Sequence, residues 1–420
     1  MSDDSIYRLR VTDRELRKRL QSSGAILIEG PKACGKTETA RQVAESEVLL
    51  DVDEQARAAA AIDPSLILAG ATPRLIDEWQ MEPRVWNHVR RAIDERKQPG
   101  QFLLAGSAVP SDDAGRHSGA GRISRLRMRP MSLFESRLSD GSISLRDLMA
   151  GGKASSTHSV DLPELAEAVA RGGWPALQGM SIEAAMEGVT DYLEEVSRTD
   201  INRVEGTHRD PARVRRLLRS LARNVATHVA ATTLAADTSD GGAEPLKRQT
   251  VAEYLAALER LFVIEDQPPW EPHLRSRSIL RKSPKRHFVD PSLAAAALGA
   301  GPAALLRDLN LFGFLFESLV VRDLRVYSQP MRGEVRQFRD NKGLEIDAIV
   351  DSDAGWAAFE VKLGGPDAID EAAAALLKFA REIDTGRSGA PAALGVIVAG
   401  GYGYTREDGV QVIPITALGP

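Results

Sequence analysis

Short apolar runs alternate with helical stretches over the first part of the chain. The apolar runs occupy residues 25–29, 48–52, 75–76 and 102–104. Between them, residues 38–46 and 84–97 carry the spacing of helices that bury one face. Strands that alternate with helices are typical of a parallel sheet covered by helices. The pattern therefore predicts an α/β domain over residues 1–150.

The middle of the chain has helical periodicity. It follows a Gly- and Ser-rich stretch at residues 151–159, which is typical of a linker. The predicted helices cover residues 162–170, 182–200, 211–229 and 248–259, and extended runs follow at residues 261–265 and 287–289. Helices followed by a hairpin suggest a winged helix. We therefore expect a helical lid at residues 155–210 and a winged-helix-like domain at residues 211–300.

The last section returns to mixed structure. It predicts helices at residues 312–325 and 369–383, and strands at residues 335–339, 345–350, 357–361 and 394–398. This order indicates a second α/β domain at residues 303–420.

Composition narrows the class of protein. A chain of 420 residues is too long for one hydrophobic core, and 43% hydrophobic with 27% charged residues excludes a largely disordered chain. The single cysteine, Cys34, excludes an intrachain disulfide and fits a reducing compartment. No run reaches the roughly 18 apolar residues of a membrane span, and residues 1–10 lack a signal region. We expect a cytoplasmic protein, and its net charge of -5 argues against a uniformly basic surface.

The segment between the first predicted strand and helix has the composition of a phosphate-binding loop. It consists of Gly30, Pro31, Lys32, Ala33, Cys34, Gly35, Lys36 and Thr37, and Glu38 follows in the helix. Glycines let the backbone wrap closely, and the N–H groups at a helix start attract phosphate. Lys36 would contact the β- and γ-phosphates and Thr37 would bind Mg²⁺. The pattern predicts ATP with Mg²⁺ as cofactors; the alternative is an ordinary glycine turn.

Hydrolysis also needs carboxylates beside the metal. Asp77 and Glu78 follow the apolar run at residues 75–76. Asp77 would hold Mg²⁺ and Glu78 would be the base that activates water, although such a pair can also be a solvated strand end. Ser107, which ends the run at residues 102–104, is placed like a polar sensor of the γ-phosphate; the alternative is a helix cap.

Residues 114–129 hold five arginines and no acidic residue. They are Arg116, Arg122, Arg125, Arg127 and Arg129. Such clusters are usually solvated, but an arginine can complete the ATP site of a neighbouring subunit. Arg122 is our candidate for this arginine finger.

Several motifs together carry a family resemblance. They are residues 30–37, Ile-Asp-Glu-Trp-Gln at 76–80, Ala-Gly-Ser at 105–107, Gly-Arg at 121–122, Arg-Pro-Met-Ser-Leu-Phe-Glu at 129–135, Gly-Gly-Trp-Pro at 172–175 and Asp-Pro at 290–291. The chain resembles the prokaryotic AAA+ ATPases with a C-terminal DUF4143 domain over nearly its whole length, with Trp79 in place of an aliphatic residue. The resemblance implies ATP binding and hydrolysis, in a homo-oligomer.

Charged residues also stand out in the last section. Glu317 lies on a predicted helix, Asp347 on one strand, and Glu360 and Lys362 on the same face of the next strand. The arrangement resembles the PD-(D/E)xK nucleases, in which paired acids bind a metal ion and a nearby lysine assists cleavage of DNA. The resemblance implies that Asp347 and Glu360 bind the metal. A solvated charged face is the alternative.

Two basic segments suggest a nucleic-acid partner. Residues 247–250 open the helix at 248–259, and residues 275–286 hold six basic residues and no acid. Packing between domains, with a solvated basic loop, is the alternative. The leading hypothesis is an ATP-driven machine that binds or cuts DNA. The alternative is a nucleotide-dependent regulatory switch or protein remodeler whose last domain has lost catalysis.

Overall fold

A computed structural model describes residues 7–107, 119–201, 210–239, 244–271 and 283–420. The described residues fall into two compact units. The first takes residues from Met1–Pro130, Asp200–His208 and Ala257–Val263, and the second from Met131–Thr199, Arg209–Ala256 and Ile264–Pro420. This division differs from the four predicted segments, because residues 131–150 belong with the C-terminal part of the chain.

The first unit is built on a parallel sheet. Its strands are β1 Ala25–Glu29, β2 Ser46–Leu49, β3 Arg74–Asp77, β4 Phe102–Gly106 and β5 Ile123–Arg127, and its helices are α1 Thr12–Leu20, α2 Lys36–Arg41, α3 Glu54–Ile62 and α4 Val85–Arg96. Among the described residues the strand order is β2-β3-β4-β1-β5, and all neighbours are parallel. The predicted α/β domain with a parallel sheet is confirmed.

Both faces of this sheet are covered, and so its strands are almost wholly apolar. On one face, Leu27 and Leu104 pack with Trp79 and Trp86, whose rings lie 5.3 Å apart. On the other face, Leu16 of α1 and further aliphatic residues form a second core. Strand β4 lies between β1 and β3, and this position sets the geometry of the site at their carboxyl ends.

The second unit contains helices and a mixed sheet. The helices that lie wholly or partly in it are α5 Leu145–Met149, α6 Leu162–Arg171, α7 Ile182–Glu195, α8 Pro211–Arg223, α9 Ala231–Asp237, α10 Arg248–Arg260, α11 Pro291–Leu298, α12 Pro302–Arg307, α13 Leu309–Ser328, α14 Pro366–Glu382 and α15 Thr385–Ser388. A π-helical turn, Val196–Asp200, follows α7. Among the described residues, no helix is long and apolar enough to cross a membrane.

The strands of the second unit are β6 Ile143–Ser144, β7 Glu334–Arg339, β8 Glu345–Ser352, β9 Gly355–Lys362, β10 Ala393–Val398, β11 Tyr404–Thr405, β12 Gln411–Pro414 and β13 Leu418–Gly419. The described strands of the main sheet follow the order β11-β12-β10-β9-β8-β7. Helix α14 packs on it through Phe379, which contacts Trp270 and Trp356. Strand β13 pairs with β6, so the end of the chain is joined to residues 143–144.

The predicted linker at residues 151–159 is held in place. Ser156 and Gly403 exchange two backbone hydrogen bonds of 2.8 and 3.1 Å, and the buried Ala154 donates its N–H to the Gln411 side chain at 2.8 Å. The predicted linker is therefore bound to residues 403 and 411 of the second unit by hydrogen bonds.

A buried arginine joins distant segments of the second unit. The Arg322 guanidinium on α13 donates to Asp290 and to Asp323, each at 2.8 Å. The carboxylate of Asp290 also accepts the N–H of Gly173 at 3.0 Å, and that of Asp323 accepts the N–H of Leu133 at 3.0 Å. Three motifs that are far apart in the sequence thus meet at one buried network, in which each charged side chain has a partner of opposite charge.

Gly173 is required by close backbone approach. Its N–H is bound by Asp290, its carbonyl accepts the N–H of Met131 at 2.6 Å, and a Cβ at this position would lie 2.1 Å from the Met131 carbonyl oxygen. Any side chain would therefore push residues 131–133 away from the Arg322 network.

We predict that Gly173→Ala lowers the free energy of unfolding by about 1–3 kcal/mol, because the added methyl group overpacks this contact. Gly313→Ala is the matched control, since nothing lies within 4 Å of its Cβ position on α13. This control should be neutral or slightly stabilising, because alanine favours a helix. Thermal unfolding of both variants measures the difference, and equal midpoints would contradict the assigned role of Gly173.

Candidate functional site

The loop between β1 and α2 approaches the rest of the first unit closely. A Cβ on Gly30 would lie 2.2 Å from the carbonyl oxygen of Met128, so only glycine fits. Gly35 has φ 101° and Ala33 has φ 58°, both in the left-handed region that turns the chain sharply. Cys34 is fully buried in the core beneath α1, so this residue can offer only its backbone N–H to a ligand.

The predicted phosphate and metal ligands converge at the carboxyl ends of β1 and β3. The Lys36 ammonium donates to the carbonyls of Gly30 and Pro31 at 3.1 and 2.7 Å and lies inside the loop. The Thr37 hydroxyl donates to Asp77 Oδ2 at 2.9 Å. In the parallel sheet, Asp77 at the end of β3 lies beside Ala105 near the end of β4. Thr37 and Asp77, which are 40 positions apart in the sequence, are in contact at this edge.

The other predicted groups lie at the same edge. Glu78 follows β3 with φ 51°, and its Oε2 accepts from the Ser107 hydroxyl at 3.3 Å and from the Gln80 amide. Gly106, which precedes Ser107, allows the approach, because a Cβ there would lie 2.5 Å from the Gln80 side chain. Ser107 is thus paired with the predicted base, and Gln80 is a partner that sequence reasoning did not assign.

A buried arginine, Arg10, binds the backbone of the loop between β1 and α2. The Arg10 guanidinium donates to the Cys34 carbonyl and to the Arg129 carbonyl, each at 2.7 Å. Its own N–H is bound by Asp13 at 2.9 Å. Sequence reasoning missed Arg10, because it precedes every motif and its partners come from the tertiary fold.

Three predicted residues lie apart from the cluster at Thr37 and Asp77. Lys32 forms an ion pair with Asp200, and Glu38 is exposed and pairs with Arg41. Arg122 lies before β5, at the amino end of the strands and thus at the sheet edge opposite the loop, where Asp94 accepts from its guanidinium at 2.9 Å. Within one chain Arg122 is therefore no part of this site, and its action on a neighbouring subunit stays a prediction. Arg116 lies outside the described residues.

The second unit holds a separate cluster of five charged side chains. Lys285 donates to Glu317 Oε1 at 2.7 Å and to Asp347 Oδ1 at 3.2 Å. Lys362 donates to Glu360 Oε2 at 2.8 Å and lies 3.6 Å from Asp347 Oδ2. The structure brings together all four residues predicted for this domain, and the predicted common face of Glu360 and Lys362 agrees with their contact.

Lys285 is the member of the cluster that sequence reasoning did not assign. It belongs to the predicted basic segment at residues 275–286, of which residues 275–282 lie outside the described residues. Lys285 is buried, and Arg286 donates to the Asp266 carboxylate at 2.5 Å. The alternative of a solvated basic loop was therefore wrong for Lys285 and Arg286. Each pairs with a carboxylate that is remote in the sequence, and the tertiary fold brings the partners together.

Comparison with known proteins divides the chain into three matched regions. Residues 22–136 match the family model described as AAA domain. The first unit contains an AAA-type P-loop ATPase-like domain. Residues 162–304 and 312–418 match two domains of unknown function, DUF8612 and DUF4143. The predicted presence of an AAA domain and of a DUF4143 domain is confirmed, and the nuclease likeness of the latter stays a prediction.

Similar proteins and structures were also found. Two uncharacterized proteins, of Mycobacterium bovis and Mycobacterium tuberculosis, are each 26% identical over 352 residues, which is 83% of this chain and 72% of theirs. A Walker-type ATPase of Pyrococcus abyssi has a TM-score of 0.39 at 15% identity, covering 68% of this chain and 94% of its own. The ORC2 protein of Aeropyrum pernix, in ADPNP and ADP complexes, has a TM-score of 0.37 at 14% identity. The match covers 73% of this chain and 98% of the ORC2 chain.

Burial shapes the electrostatics of the AAA domain site. Burial raises the pKa of the Glu78 carboxyl, and the nearby Lys36 charge opposes part of this shift. Burial likewise raises the pKa of Asp77, against the hydrogen bond from Thr37. A raised pKa makes Glu78 a stronger proton acceptor than an exposed glutamate.

The two sites differ in how well they suit a metal ion. In the AAA domain, the Thr37 hydroxyl and the Asp77 carboxylate are hard oxygen donors side by side, which fits Mg²⁺. In the C-terminal cluster, the ammonium groups of Lys285 and Lys362 contact the carboxylates. Within the described ranges, no group of three or more His, Cys, Asp or Glu side chains is placed to hold a metal ion.

The C-terminal cluster favours the uptake of a proton. Burial and the adjacent Asp347 raise the pKa of Glu317 to about 8 and that of Glu360 to about 7. Burial acts in the same direction on Asp347, but the charges of Lys285 and Lys362 outweigh it and leave its pKa below the ordinary value. With three carboxylates and two lysines, one bound proton makes the cluster neutral.

We predict that stability falls as the pH rises from 4.5 to about 8, the window between the ordinary and the folded pKa of Glu317. Between these two pH values the folded chain binds more protons than the unfolded chain. The contribution of Glu317 to the free energy of unfolding is therefore fully present near pH 4.5 and is lost near pH 8. Thermal midpoints across the window should show the fall, and Glu317→Gln should flatten it. Glu345→Gln, at a half-buried position paired with Arg339, is the control. A slope unchanged by Glu317→Gln would refute the assignment.

Proposed function

We propose that the AAA domain binds ATP with Mg²⁺ and hydrolyses it. The observation that carries this proposal is the 2.9 Å hydrogen bond between Thr37 and Asp77. It unites the hydroxyl of the phosphate loop with a buried carboxylate from a different strand, beside the Lys36 ammonium. This combination of donors is what a magnesium-bound triphosphate requires.

Each group has a proposed task. Backbone N–H groups of the loop and the Lys36 ammonium would hold the phosphates, and Thr37 and Asp77 would hold Mg²⁺. Bound Mg²⁺ would neutralise phosphate charge. Ser107 and Gln80 both donate to Glu78 Oε2, which orients this carboxylate. We assign Oε1 of Glu78 as the atom that takes the proton from the attacking water.

We predict that Glu78→Gln retains ATP binding but lowers kcat by about 100-fold or more, because the glutamine cannot accept the proton. Lys36→Ala should lose affinity for ATP, since the main cation at the phosphates is removed. Phosphate release and calorimetric titration measure the two effects. The control is Glu47→Gln, a partly exposed residue of β2 paired with Arg41. Equal turnover by wild type and Glu78→Gln would reject Glu78 as the base.

A second proposed function is contact with DNA through the middle region. Lys247, Arg248 and Gln249 are exposed at the start of α10. Two isolated antiparallel bridges follow helices α8, α9 and α10. One joins residue 264 to residue 288, and the other joins residue 267 to residue 285. A basic helix start that follows two other helices is the arrangement in which helix-turn-helix proteins place a recognition helix on DNA. The structure supports this proposal by the exposure of these three side chains.

We predict that Lys247→Glu with Arg248→Glu weakens binding of duplex DNA uniformly across sequences. The salt dependence of log K should become shallower by about one unit per lost phosphate contact. The control with the same charge change is Lys378→Glu with Arg381→Glu, two exposed residues of α14. Should the wild type bind no single-stranded, duplex or branched DNA across a salt series, the alternative of a nucleotide-dependent switch or remodeler is favoured. The proposed homo-oligomer rests on the family resemblance alone.

A further inference from the structure

Lys285 enters the C-terminal cluster from a segment outside the DUF4143 region. The carboxylates come from α13, β8 and β9, whereas Lys285 lies on the segment bridged to Gln267. Its side chain is 5% exposed, and its ammonium lies within 3.2 Å of oxygens from both Glu317 and Asp347. A lysine at this depth is costly unless it is paired, so its position depends on these two acids.

The backbone around Lys285 is anchored on both sides. Lys285 and Gln267 exchange two backbone hydrogen bonds of 2.8 and 3.1 Å. The Gln267 amide donates to the carbonyls of Asp347 and Arg336 at 2.9 and 3.0 Å, and the His287 ring bonds the Ser318 hydroxyl at 2.7 Å. The ammonium is thus delivered by a fixed segment, and it is held between the two carboxylates by the fold.

A divalent cation at this cluster would need the same oxygens. Metal ions of the Mg²⁺ class are bound through one or two carboxylates, and Glu317 Oε1 and Asp347 Oδ1 are one pair that faces a common point. That point is taken by the Lys285 ammonium, which repels a second cation. We propose that Lys285 is a built-in counter-cation that closes the carboxylate cluster to divalent metal ions.

Lys362 provides the internal comparison. It carries the same charge and contacts Glu360 and Asp347, but its side chain is 34% exposed and lies 3.6 Å from Asp347. Removing Lys362 leaves the Lys285 ammonium between Glu317 and Asp347. A metal ion can therefore bind between Glu317 and Asp347 only if the Lys285 ammonium is displaced, whatever the AAA domain binds.

The test is a titration of the nucleotide-free full chain with Mn²⁺, followed by electron paramagnetic resonance. All variants also carry Asp77→Asn, so that the AAA domain lacks the carboxylate assigned to its own metal ion. We expect Lys285→Met to gain one Mn²⁺ site at least about tenfold tighter than any site of the parent or of Lys362→Met. Adding Glu317→Gln to Lys285→Met should abolish the gain. A folded Lys285→Met that gains no site overturns the proposal.

A second measurement does not depend on the folding of Lys285→Met. In the parent with Lys285 intact, Asp347→Asn should leave Mn²⁺ binding unchanged, because this carboxylate is already engaged by the ammonium. If Asp347→Asn weakens Mn²⁺ binding there, the cluster is open to metal ions and the proposal fails. Neither result depends on whether the AAA domain hydrolyses ATP.

Discussion

The hydrogen bond from the Thr37 hydroxyl to the Asp77 carboxylate is the contact on which the nucleotide site depends. It forms because β4 lies between β1 and β3 in one parallel sheet, so that the carboxyl ends of the strands meet at one edge. Ser107 then follows β4 between the phosphate loop and the acidic pair. Gly30 and Gly106 matter for the same reason, because backbone and side chains approach there too closely for a Cβ.

Buried charge organises the second unit. Arg322 is paired with Asp290 and Asp323, and the two acids also bind backbone N–H groups of remote segments. Lys285 is paired in a similar way with Glu317 and Asp347. In both places a cation in a low-dielectric interior is stabilised by carboxylates, of which Asp290, Glu317 and Asp347 come from other elements and Asp323 from the same helix as Arg322. The first network joins segments of the unit, and the second determines what the carboxylate cluster can bind.

Local patterns predicted much of this protein. Alternating and continuous apolar runs located the strands at 334–339, 345–352 and 355–362 to within a few residues. Such runs are visible in the sequence because a strand that buries one or both faces needs apolar residues at neighbouring positions. The loop at residues 30–37 was equally visible. The remote partners of Arg10, Lys285 and Arg322 were not, since only the tertiary fold brings them together. Arg122 was selected by its place in the sequence, and the sheet register put it at the opposite edge.

The central claim is that Thr37 and Asp77 hold one magnesium ion on a bound triphosphate. Calorimetric titration of the full chain with ATP, in Mg²⁺ and again in excess chelator, tests it most directly. We expect ATP to bind more tightly with Mg²⁺, and Asp77→Ala to remove most of that difference. Binding of equal strength with and without Mg²⁺, or no heat from ATP on folded protein, would contradict the account.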